Sequence, residues 1–114
     1  MKLVDKQIKV SQLKEMSEKM FGGLVKVVVD IDQKIMVVDA DLHADEEFFL
    51  LENGSEQKNL WGINIFPEKF GAPDFIVFDS MINLRPSWGN KTRGVEDPKI
   101  QQIIINIVNN LVIL

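Results

Sequence analysis

The chain has one histidine, His43, and Glu47 follows it at the spacing of one helical turn. Side chains at i and i+4 share a helix face, so a carboxylate there can orient the imidazole and hold its pKa near neutrality, as general acid–base chemistry requires. The same pair also suits a plain helix start, with His43 near the N-cap and Glu47 complementing the dipole. Arg85, Lys91 and Arg93 gather positive charge in one stretch, and arginine grips carboxylate or phosphate through two parallel hydrogen bonds. Asn64, Asn83 and Asn90 could donate hydrogen bonds to the same anion, and Trp88 offers a contact or stacking surface. The candidate site is therefore an anionic-ligand pocket between the start of the second helix and the 85–97 loop. His43 and Glu47 would be its proton-transfer pair, and hydrolysis its reaction class.

A structural reading uses the same charges. Asp39, Asp41, Asp45, Glu46, Glu47 and Glu52 follow one another with no Lys or Arg between them. Arg85 or Arg93 paired with Glu46 or Glu47 would balance that cluster without any ligand. Asp39, Asp41, His43 and Glu47 are hard donors of the kind that bind magnesium, manganese or iron, but no second histidine, HExxH pattern or cysteine joins them. The expectation is no metal and no cofactor. Glycine-rich phosphate loops and the GxSxG elbow are also missing, so nucleotide-loop and hydrolase-elbow readings have no support. An anion at the last helix's start is disfavoured, because Glu96 and Asp97 already occupy that positive end.

The elements that must position these groups follow from period and caps. Ser11 as N-cap predicts a helix over Gln12–Phe21, ended by Gly22-Gly23. Leu24–Ile31 and Ile35–Asp39 read as a hairpin across Asp32-Gln33-Lys34, a turn without the usual glycine. A helix over Leu42–Asn53 ends at Gly54, and Leu60–Phe66 is a third strand. Alternation over Phe75–Leu84 predicts a fourth strand, and residues 86–96 a long loop. Asp97-Pro98 then starts a helix reaching about Val112. The order α-β-β-α-β-β-α is an α+β layer: a mainly antiparallel four-stranded sheet with helices packed on one face, in a single domain over 1–114.

Four strings, HADEE from His43, LWGIN from Leu60, FDSMIN from Phe78 and GVED from Gly94, together resemble an uncharacterised microbial family catalogued as domain of unknown function 5674. The likeness covers nearly the whole chain. It implies a small stand-alone prokaryotic protein and carries over no activity, ligand or catalytic residue.

A net charge of −4 argues against a protein whose main task is to grip nucleic acid, which needs a concentrated basic footprint. An RNA-cleaving enzyme is the further alternative. With no cysteine, a disulfide framework and a thiolate site are excluded. The opening MKLVDKQIKV lacks the apolar core of a signal peptide, so a cytoplasmic location is expected. The apolar run Ile103–Leu114 is too short to span a bilayer, so no membrane association is expected. The last helix is broadly apolar, and Ile105, Val112, Ile113 and Leu114 extend past one stripe, which makes a protein-interaction module or homodimer the alternative to a ligand site. Whether the protein is an enzyme stays open on these grounds.

Overall fold

Valine crowds the stretch from Val25 to Val38, and the computed structural model, which describes Met1–Leu114, builds its central strands there. Strand β3 (Val25–Asp30) lies between β4 (Ile35–Val38) and β5 (Leu60–Ile65). Outside them β1 (Lys2–Val4) pairs with β4, and β6 (Ile76–Val77) pairs with β5. The sheet order is β1-β4-β3-β5-β6, and every pairing is antiparallel. A separate parallel ribbon joins β2 (Ile8–Lys9) to β7 (Val112–Ile113). The expected α+β class with a mainly antiparallel sheet is the observed one.

Two particulars differ from expectation. The sheet has a fifth strand, supplied by the first residues of the chain. The helices also divide between its faces. Helices α1 (Val10–Ser17) and α3 (Pro98–Leu111) cover one face, where Leu13, Ile104, Ile107 and Val108 pack on Val25, Val27, Val29, Met36 and Ile63. Helix α2 (His43–Glu52) covers the other, where Leu50 packs on Val28, Val37 and Leu60. The cause is in β3 itself, whose even-numbered face carries Val28 and so also needs cover.

Local chemistry explains the shifted boundaries. Helix α1 begins at Val10, directly after β2, because the Lys9 N–H is accepted by the Gln12 side chain at 3.0 Å; Ser11 is not the cap. The helix ends at Ser17, and Phe21, expected as its last residue, is fully exposed. The β3–β4 turn does without glycine: Lys34 takes φ 59, and the Asp30 carboxylate binds the N–H groups of Asp32 and Gln33, the Gln33 amide and the Ser55 hydroxyl. At α3 the expectation holds, with Asp97 accepting from the Lys99 N–H at 2.8 Å and Pro98 in the first turn.

The fourth strand is corrected most. Only Ile76–Val77 pair with β5, and Met81–Asn83 form a 3-10 turn opened by Ser80, whose hydroxyl accepts the Ile82 N–H. Beyond β6, a side chain takes the place of a strand. The Asn83 amide accepts the Gly62 N–H and donates to the Gly62 carbonyl, both at 2.9 Å. Gly62 has no room for a side chain, because a Cβ there would stand 2.5 Å from the Ser80 Cβ.

Candidate functional site

The face of the sheet under α2 is not wholly apolar. Lys26 on β3 lies opposite Asn64 on β5, beyond the Val28–Gly62 pair. Helix α2 sets its first residue above them, and the His43 Nε2 lies 2.8 Å from the Ile63 carbonyl oxygen. A carbonyl only accepts, so Nε2 carries the proton and the neutral ring keeps its lone pair on Nδ1. Burial lowers the His43 pKa; the Ile63 bond and Asp79 oppose this, while Lys26 and Arg93 add to it. The imidazole is therefore neutral at pH 7.

The opposite wall comes from the segment after β6. Its backbone is tied by the Ser80 N–H donating to the Arg93 carbonyl at 2.9 Å. That bond sets Asp79 beside Arg93, and the Arg93 Nε donates to the Asp79 Oδ1 at 2.7 Å. Between the walls is a cleft of about 230 Å³ lined by Lys26, His43, Asn64, Asp79, Ser80 and Arg93, with Leu42, Met81 and Ile82 among its apolar residues. Leu42 and Met81 are exposed. Asn64 donates to the Asp79 carbonyl at 3.3 Å, and its Oδ1 is buried without a partner. Leu42 stands at the N-cap of α2 and provides no side-chain cap, so N–H groups of the first turn have no side-chain acceptor. Two cations, a helix start and the neutral imidazole thus line one cleft beside the Asp79 carboxylate, with Asp45 in the first turn of α2.

His43, Asn64 and Arg93 line this cleft; Glu47, Asn83, Arg85, Trp88 and Asn90 do not. Glu47 makes no bond to His43, whose ring has turned to Ile63; its carboxyl is raised in pKa by burial, with Gln57 and Arg85 opposing, and its Oε2 has no partner. Arg85 is buried elsewhere. It donates to the carbonyls of Gln57 and Leu60 at 2.7 and 2.8 Å. Its guanidinium lies over Trp61 at 4.1 Å and over Trp88 at 5.5 Å. Asn83 and Asn90 hold the backbone: Asn83 also donates to the Arg93 carbonyl, and Asn90 joins Asn83, Thr92 and Gly94 carbonyls to the Glu96 N–H.

The expected Arg–Glu pairs do not form either. Arg93 has Asp79, and Glu46 is relieved by keeping its proton. Its side chain is fully buried, burial pushes its pKa to about 10, and its one partner is the Ala40 N–H at 3.2 Å. Asp39, Asp41, His43 and Glu47 do not converge as metal ligands, and Asp39 instead pairs with Lys19 at 2.9 Å.

With this geometry in place, one comparison is informative. The family model described as protein of unknown function (DUF5674) matches residues 2–111. The chain belongs to that family. No curated protein and no solved structure matches it. For this DUF5674 protein the residues that sequence reasoning left out of the site are Lys26, Asp79 and Ser80. Lys26 had a visible signal, since a lone cation inside a valine strand must find a polar exit. Asp79 and Ser80 are visible as a polar strand residue and a possible nucleophile but cannot be placed from sequence, because their positions depend on a strand that stops early.

Proposed function

We propose that this protein binds a small anionic molecule in the cleft between the start of α2 and Arg93. The headgroup lies against Arg93, Lys26 and the first turn of α2, and an apolar portion rests on Leu42 and Met81. The observation that carries this reading is the convergence of Arg93, Lys26 and Asn64 on an indentation beside the only histidine. A carboxylate or phosphate satisfies both cations and accepts from uncapped N–H groups. The neutral His43 adds a proton acceptor at Nδ1. It can take the proton of a water attacking an ester or phosphoester, so hydrolysis is the reaction class the site offers.

Arg93 separates binding from folding. Its pair with Asp79 is about half exposed on both sides, so Arg93→Ala should change stability by no more than about 1 kcal/mol. The test is a thermal-shift series with phosphate, acetate, hexanoate and phenyl phosphate. An anion near 100 times its Kd adds about 2.7 kcal/mol, several degrees for a chain of this size. The expected result is a shift from hexanoate or phenyl phosphate that disappears in Arg93→Ala. A flat series, or a shift that survives the substitution, contradicts the reading.

A further inference from the structure

A second cavity, beside Arg85, does not depend on the anion cleft. It measures about 330 Å³ and is bounded by Trp61, Arg85, Trp88, Ile100, Lys58 and the acids Glu96 and Asp97. Both tryptophans of the chain are here. Trp61 is buried under the Arg85 guanidinium, whereas Trp88 is 56 % exposed, a costly position for a large aromatic with nothing to cover it. The polar groups on the wall are unevenly engaged. Glu96 Oε2 accepts the N–H groups of Lys91 and Thr92, and Asp97 Oδ1 accepts that of Lys99, which leaves Glu96 Oε1 and Asp97 Oδ2 without protein donors. The Trp61 Nε1 and Arg85 Nε are closed off from solvent with no acceptor.

The geometry points to this cavity as a nucleoside site that takes a guanine base. A flat π-system continues the Trp61–Arg85–Trp88 stack, and stacking on an aromatic is favourable for any base. The second oxygens of Glu96 and Asp97 can take further donors, and Lys58, in an exposed pair with Glu56 at 3.4 Å, can turn to an acceptor. Guanine presents both on one edge, N1–H and N2–H2 to a carboxylate and O6 to a cation. Adenine offers one amino donor beside a bare ring nitrogen, whose lone pair would face the carboxylate. Glu96 and Asp97 repel a phosphate, so the occupant is the nucleoside rather than the nucleotide.

Two tryptophans give two indole N–H resonances, and both belong to this cavity. In a nitrogen–proton correlation spectrum of the full chain, guanosine should shift both saturably and bind at least about tenfold tighter than adenosine or guanosine monophosphate, a difference of about 1.4 kcal/mol. Trp88→Ala should weaken guanosine at least about tenfold, read on the remaining Trp61 resonance, whereas Trp88→Phe keeps a stacking face and keeps binding. Asp97→Asn preserves the N-cap and should erase the preference over adenosine. No indole shift up to the solubility limit of guanosine overturns the proposal. So do shifts of equal size with adenosine, or binding that Trp88→Ala leaves intact. Arg93→Ala should leave guanosine binding unchanged, so failure here and failure at the anion cleft are told apart.

Discussion

Glu46 and His43 sit three positions apart on α2 and are both neutral near pH 7, for one reason: burial without a compensating charge. Their signs in pH are opposite. The His43 pKa is below its usual value in the fold, so the unfolded chain takes up the proton first, and stability falls as pH drops below about 6.5. Glu46 is above its usual value, so its contribution is fully present below about pH 4.5 and is lost as pH rises toward 10. Glu46→Gln keeps an acceptor for the Ala40 N–H and removes the ionisation. Its unfolding free energy should match the native protein's below pH 4.5 and exceed it by on the order of 3 kcal/mol at pH 7. Chemical denaturation across that range checks this; a difference that does not change with pH would mean Glu46 is ionised in the fold.

At the scale of elements, the edge of the sheet beyond β6 is held by side chains. Gly62 must be glycine because Ser80 packs against its Cα, and Asn83 supplies the hydrogen bonds that a strand would. Gly62→Ala should therefore cost about 1–3 kcal/mol through overpacking. Ser80→Gly in the same chain should recover much of that, since the clash is with Ser80 Cβ and Oγ. Equilibrium unfolding of the two single variants and the double variant measures the coupling; strict additivity would contradict the contact. These interactions also show how far the sequence could be read. Period and caps located β3, β4, β5, α2 and α3 to within a residue or two, because each is a run with one dominant period and a clear stop. Phe75–Leu84 alternates just as well, yet folds as a two-residue strand and a turn. Its register depends on where Asn83 finds Gly62, a long-range match that no local pattern carries. β1 and β7 were hidden for the related reason that strands of two or three residues have too little period to see. In the site, His43, Asn64 and Arg93 were legible as types. That Arg85 would be sandwiched by Trp61 and Trp88 was not, since nothing local places Trp61 beneath it.

For the whole molecule, the apolar excess at the C-terminus had suggested a partner. The fold uses most of it internally: β7 pairs with β2, Val112 is buried and Ile113 half-buried. Ile105 is half-buried against a shallow apolar hollow with Phe70, Phe75 and Phe78. Sedimentation at micromolar concentration should accordingly give a single species near 13.0 kDa; a concentration-dependent species of twice that mass would favour the homodimer, the alternative to a ligand site. His43 reports on the cleft without overlap, being the chain's one histidine. The most direct measurement is a pH titration of the His43 ring protons by NMR, with and without phenyl phosphate. A pKa below 6.5 in the free protein that moves upward on saturation is the predicted result, because an anion beside the ring favours the imidazolium. Ring resonances that ignore the anion at every pH would contradict the claim that this cleft is the binding site.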